Sequence, residues 1–202
     1  MRMFDPVVIA CDNGSWDVGM AVRGALDLFR LRVYLHYCVQ KANAVDLLAG
    51  HVPESEYVVL CCHDLGSAER EGEADEEMRM GFVQLVDQVD GKWEEVELAL
   101  TPGNIPELVK LPRRKVLALG CGSGREPFAR AFLASGCSAY IGPVAPVDQD
   151  ATALFAIALF YHLLREDRDS VPCDDREAVA LAAAVDTLSK EGTHVFRHYA
   201  PE

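Results

Sequence analysis

The chain has 202 residues, of which half are hydrophobic, with 19 Lys+Arg against 32 Asp+Glu and a formal charge of −13. So much apolar material at that length supports one packed core and excludes a disordered chain. The acidic balance repels phosphate backbones and anionic lipid headgroups, which argues against nucleic acid and against a membrane surface as partners.

The N-terminus runs into Val7-Val8-Ile9-Ala10, too short an apolar stretch for a signal peptide, and reads as a first strand. The longest apolar run, Ala151 to Leu164, is shorter than the roughly 20 residues of a membrane-spanning helix and reads as a buried helix. Seven cysteines, most inside apolar strings, fit a reducing cytoplasm in which free thiols pack as small hydrophobes. No pair is spaced CxxC and no HExxH occurs, so no metal site and no cofactor is expected.

In chain order, Pro6 to Asp12 reads as a strand and Asn13-Gly14-Ser15 as a turn. A helix follows within Val18 to Leu35, whose β-branched end is ambiguous. Glu56 to Cys62 is a short apolar run bounded by breakers, the form of a central parallel strand, and it delivers His63 to its C-terminal end. The acidic stretch Ser67 to Glu77 reads as a solvated loop. Gly81 to Leu100 alternates around Asp90-Gly91, a hairpin signal. Thr101-Pro102 begins a short helix closed by Pro112, and Lys115 to Gly120 is the next strand.

Cys121-Gly122-Ser123-Gly124 then leads into a helix over Arg125 to Ser135, with Gly136 as its stop. Ala139 to Val144 is a strand, Asp148 or Asp150 caps the long apolar helix, Arg176 to Glu191 is an amphipathic helix, and Thr193 to Tyr199 a last strand. Strands alternating with helices give an α/β fold on a mostly parallel sheet, with helices on both faces and an inserted β-hairpin. The whole chain, 1–202, is expected to be one domain.

The glycine-rich turn at Cys121 admits two chemical readings. VLALGCGSG resembles the first motif of class I S-adenosylmethionine-dependent methyltransferases, but that motif opens their fold, and several more crossover units of about 30 residues each must follow it. Asp148 also falls a few residues late for the acid that family places on the cofactor's ribose. In the second reading, Cys121 is a nucleophile at the open edge of the sheet, where ligands of α/β folds bind. The strand ending in His63 reaches the same edge and supplies a base, which is the pairing of cysteine-peptidase chemistry.

The chain carries further parts in order: LTPGNIPEL before the cysteine strand, then ASGCSAYIGPVAPVDQDATALFAIALFYHLL, EAVALAAAVD and VFRHYAPE. From about Tyr57 onward this series resembles the caspase-like CHAT domains, grouped with caspases, separases, gingipains and clostripain-like enzymes. The resemblance implies a caspase-like three-layer sandwich, with Cys121 as nucleophile, His63 as catalytic histidine, and the backbone N–H groups of Asp64 and Cys121 around the oxyanion. Two positions depart from the family pattern. Asp64 stands where the family has a glycine after the histidine, and Gly120 where it usually has alanine.

Several relatives hold basic side chains in acidic pockets, so Asp148 and Asp150 are expected to bind substrate and to favour a basic residue before the scissile bond. The expected partners are a peptide or protein substrate and a separate regulatory chain. A non-catalytic caspase-like interaction module is the alternative, favoured by Asp64. Cys62, beside His63, is the competing thiol. His36, His51, His162, His194 and His198 are expected to be surface or core histidines, and Trp93 a cross-strand packing residue.

Overall fold

The computed structural model describes residues 6–68, 77–164, 174–183 and 195–201. Six strands form the central sheet: β1 (Val7–Cys11), β2 (Val33–Tyr37), β3 (Tyr57–Cys61), β7 (Lys115–Ala118), β8 (Ala139–Pro143) and β9 (Phe196–Tyr199). Their order is β2-β1-β3-β7-β8-β9, all parallel except β9. In between, β4 (His63–Ala68), β5 (Glu77–Val89) and β6 (Lys92–Leu100) make a separate antiparallel sheet.

The strand register explains why the parallel strands read as continuous apolar runs. Leu35, Ile9, Val59, Leu117 and Ile141 align across the sheet and face one layer, while Val8, Val58, Val116 and Tyr140 form the adjacent row on the other face. A sheet covered on both faces has no polar alternation to show. On the first face lie α1 (Trp16–Leu28), α5 (Gln149–Leu164) and α6 (Asp175–Ala183), with Phe160 edge-on to Tyr57 and Phe155 stacked on Phe196. The second face carries α2 (Lys41–Leu48), α3 (Ile105–Leu108) and α4 (Glu126–Ala134) together with the antiparallel sheet. α5 packs against both α1 and α6, which is why its sequence is apolar nearly all round.

The expected hairpin is present. Asp90 and Gly91 both have positive φ, 50° and 79°, as a two-residue turn with left-handed central residues requires. The expected helix before the cysteine strand is shorter than its sequence reading. Thr101 and Asn104 cap each other, with Asn104 N–H on Thr101 Oγ1 at 3.2 Å and Thr101 N–H on Asn104 Oδ1 at 2.9 Å, so the helix begins at Ile105 and ends before Pro112.

Three further differences have local causes. Val18 to Leu35 divides into α1 and β2 because α1 ends in a Schellman motif: Leu31 N–H donates to Leu26 O and Arg30 N–H to Asp27 O, with Arg30 at φ 62°. Glycine is the usual residue there, so an arginine hides the stop; α4, which ends the same way, shows it openly as Gly136 at φ 92°. Helix α2 lies in a stretch, between the Val18 to Leu35 segment and the strand at Glu56, to which the sequence assigns no element. The third difference is β4: His63 opens a strand paired with β5, and the strand extends into the segment that reads as loop. Residues 69–76 of that segment, His194, Cys173 and the second half, 184–191, of the expected helix over 176–191 lie outside the described residues. Among the described residues no helix is long and apolar enough to cross a membrane.

Candidate active site

The chain switches direction at β1: β2 lies to one side of it and β3 to the other. Open α/β sheets bind ligands at the carboxyl ends of strands beside such a point. Here β1 ends on Cys11 and Asp12, β3 on Cys61, Cys62 and then His63, and β7 on Ala118 with Leu119, Gly120 and Cys121 following. His63, Asp64 and Cys121 line one cleft of about 220 Å³ at this edge. A larger open hollow at Pro102, Pro127 and Arg130 contains neither Cys121 nor His63.

His63 is held from behind. Its Nε2 lies 3.2 Å from Oδ1 of Asp12, whose residue is fully buried. Asp12 is satisfied on every side: Ser15 N–H donates to Oδ1 at 2.9 Å and Val83 N–H to Oδ2 at 2.7 Å. The Ser15 hydroxyl accepts from Asp12 N–H and lies 2.8 Å from both Asp12 Oδ1 and Cys61 O, sharing its one proton between them. Burial pushes the Asp12 carboxyl up, but the hydrogen bonds from His63, Val83 and Ser15 and the nearby imidazole outweigh it, and its pKa lies below the ordinary 3.8.

The donor at Val83 exists because β5 is irregular there. The register with β6 shifts between Phe82 and Leu85, and Gln84 takes a left-handed φ of 52°. A bulge of this kind redirects the backbone beside a site. Gln84 Oε1 accepts from Asn13 Nδ2 at 3.0 Å, and Asn13 Oδ1 accepts from the Tyr37 hydroxyl at 2.9 Å.

Cys121 is the one partly exposed thiol among the six described cysteines. Its sulfur lies 3.4 Å from both the N–H and the carbonyl oxygen of Val147. Burial pushes the thiols of Cys38, Cys62 and Cys137 up to about 12 and that of Cys11 to about 11, and holds that of Cys61 well above its ordinary value. Cys62 also borders the cleft, but it is buried.

The glycines around Cys121 answer to close packing. A Cβ on Gly120 would stand 2.8 Å from the carbonyl oxygen of Cys62, and one on Gly124 would overlap the carbonyl of Gly142 at 2.0 Å. Gly122 has φ 64°, and Gly124 N–H donates to Pro143 O at 2.7 Å. Thus the turn folds down onto β3 and β8, which accounts for its letters without a cofactor. Gly122 N–H donates to Ala145 O and Ser123 N–H to Gly120 O, while the Cys121 N–H has no such backbone acceptor among the described residues.

Asp64 replaces glycine without backbone strain: among the described non-glycine residues only Arg30, Gln84, Asp90 and Arg113 have positive φ. Its carboxylate is exposed and accepts Gly66 N–H at 2.9 Å. Asp148 and Asp150 do not meet the expectation of an acidic substrate pocket. Both are exposed at the start of α5 and neither lines the cleft, whose wall there is made by Val147, Gln149 and Thr152. Thr152 N–H donates to Asp148 O at 3.0 Å, so Asp148 precedes the helix as its cap residue.

The other described histidines, His36, His51, His162 and His198, lie off the cleft lining. His51 pairs with Asp46 at the surface, His162 sits edge-on to Tyr161, and burial lowers the pKa of His36 and His198. No group of His, Cys, Asp and Glu suited to a metal ion occurs among the described residues.

No protein-family model and no curated protein sequence matches the chain. Among solved structures, two crystal structures of the Saccharomyces cerevisiae separase–securin complex are similar. One has TM-score 0.56, 12% identity and 98% coverage of this chain; the other has TM-score 0.53, 13% identity and 97% coverage. In both cases the chain spans 12% of the matched chain's length. The chain folds as an α/β structure, a mostly parallel sheet flanked by helices, similar in fold to the matched part of separase.

Proposed function

We propose that the cleft at the carboxyl ends of β1, β3 and β7 is the active site of a cysteine peptidase, with Cys121 as nucleophile and His63 as general base and acid. The observation that carries this reading is the anchored histidine: His63 and Cys121 share one cleft, and behind the ring stands the buried Asp12 at 3.2 Å. A carboxylate on Nε2 holds the hydrogen there and leaves Nδ1 as the basic nitrogen, which fixes the tautomer needed to accept a thiol proton.

In the first step the Cys121 proton passes to His63 Nδ1 while the sulfur attacks the peptide carbonyl carbon. The developing oxyanion is met by the Cys121 and Asp64 N–H groups. Collapse of the tetrahedral species breaks the C–N bond, and the imidazolium gives its proton to the leaving amine. Water, losing a proton to Nδ1, then hydrolyses the thioester and restores the thiol. Every group in this cycle belongs to the chain or the substrate, so no cofactor is called for. The separase structures contain securin as a second protein, and a separate regulatory chain is the corresponding proposal for this protein.

The test is digestion of a proteome-derived peptide library, read as new termini by mass spectrometry. Wild type is expected to generate termini that both Cys121→Ala and His63→Ala abolish. The alternative, a non-catalytic caspase-like module, rests on the Asp64 carboxylate at the cleft; it predicts a stable fold and no new termini from any of the three proteins.

A further inference from the structure

Besides Cys61, Cys62, His63, Asp64, Gly120 and Cys121, the cleft wall is made of Ser15, Val18, Leu119, Val147, Gln149 and Thr152. Five of these last six are nearly buried, and Gln149 alone is exposed. None of the six carries a charge. From this wall we infer that the residue on the acyl side of the scissile bond is uncharged and of medium size, Leu, Met or Gln, and that Arg, Lys and Asp are rejected there. The inference rests on the peptidase reading.

The buried carboxylate behind the cleft does not supply a site for a basic side chain. Both oxygens of Asp12 are occupied, Oδ1 by Ser15 N–H and His63 and Oδ2 by Val83 N–H. Asp148 and Asp150 lie off the lining; Asp64 does line the cleft, but it is solvent-exposed, where water and salt screen its charge, and its Oδ1 accepts Gly66 N–H. No Lys or Arg among the described residues lines the cleft, so an acidic side chain finds no partner either. A guanidinium, ammonium or carboxylate entering against Val18, Leu119 and Val147 would lose hydration with nothing to replace it, whereas an aliphatic stem gains by burial there.

The hydroxyls leave little polarity on the wall. Thr152 Oγ1 donates to Gln149 O at 2.7 Å, and the Ser15 proton is shared between Asp12 and Cys61 O. That leaves the Gln149 amide at the rim, able to donate and accept, which suits a neutral amide as well as an aliphatic chain. The cleft volume of about 220 Å³ is below the usual range of drug-sized sites and limits the side chain to medium size.

The experiment uses a set of peptidyl acyloxymethyl ketones that differ only in this residue: Leu, Gln, Arg, Lys and Asp. It measures the second-order rate of labelling at Cys121 by mass spectrometry. The Leu and Gln probes are expected to label Cys121 faster than the three charged ones by on the order of tenfold or more. In Gln149→Glu, which places a carboxylate on the rim, the Arg-to-Leu rate ratio is expected to rise by a similar factor. Faster labelling by Arg, Lys or Asp in the wild type overturns the inference and leaves the peptidase reading standing. Labelling of Cys121 by none of the five, or equal labelling in His63→Ala, overturns both.

Discussion

Asp12 Oδ1 and His63 Nε2 stand 3.2 Å apart, the carboxylate fully buried at the end of β1 and the imidazole at the start of β4, opening onto the cleft. The pair ties the end of β1, where the sheet changes direction, to the start of β4, and it turns a surface-edge histidine into an oriented one. Asp12→Asn is expected to lower kcat by roughly 10²–10⁴-fold with a smaller change in KM, because the amide no longer enforces the Nε2–H tautomer. Steady-state kinetics on a cleaved peptide would show this; a kcat within threefold of wild type, about 0.7 kcal/mol on the transition-state scale, would remove Asp12 from the catalytic account.

The same carboxylate makes stability depend on acid. Its folded pKa lies below 3.8, so its contribution is fully present above the ordinary value and is lost as pH falls through 3.8 toward the folded value. Urea titrations between pH 6 and pH 2 should show stability falling more steeply below pH 4 in wild type than in Asp12→Asn. The variant should also be less stable near neutrality by about 1–3 kcal/mol, since one amide cannot accept from both Val83 N–H and Ser15 N–H. Parallel curves for the two proteins would contradict this assignment.

Gly120 separates two packing outcomes. An added methyl would stand 2.8 Å from Cys62 O and 3.0 Å from Cys62 Sγ, so Gly120→Ala must push β7's end away from β3. A loss of about 1–3 kcal/mol is expected from overpacking, together with reduced activity because Cys121 is the next residue. Thermal unfolding at wild-type stability would show that the turn accommodates the methyl freely.

At the β5 bulge, Gln84 holds φ 52° and carries Val83 N–H onto Asp12. Glycine takes this conformation freely and a β-branched residue does not. Gln84→Gly is therefore expected to stay within about 1 kcal/mol of wild type, relief of strain offsetting the lost Asn13 bond, whereas Gln84→Val should lose about 1–3 kcal/mol and activity with it. Equal stability of the two variants in chemical denaturation would contradict a bulge imposed by the backbone.

Much of this site is legible in the amino-acid sequence. The apolar runs at Val7, Tyr57 and Lys115 are buried parallel strands, and strand-end logic alone brings His63 and Cys121 to one edge. Asp12 obeys the same logic but does not stand out: it reads as the last residue of a strand before the Asn13-Gly14 turn, and its partner, the Val83 N–H, is a backbone group placed by a bulge that no side chain announces. The helix end at Leu28 is concealed because Arg30, not glycine, takes the left-handed position. Asp148 and Asp150 are expected in the cleft from the acidic pockets of the resembling family, but a helix turns its successive residues to different sides, and Gln149 and Thr152 are the ones that reach it.

The central claim, that His63 serves Cys121, is tested most directly by thiol labelling without any substrate. Native protein is treated briefly with iodoacetamide near neutral pH, and each cysteine's rate of modification is read by peptide mapping in wild type and in His63→Ala. The account predicts that among the six described cysteines Cys121 is alkylated first, the other five being buried, and that His63→Ala slows this step by about tenfold or more while the fold is retained. Modification of Cys121 no faster than that of Cys62, or at the same rate with and without His63, would contradict it.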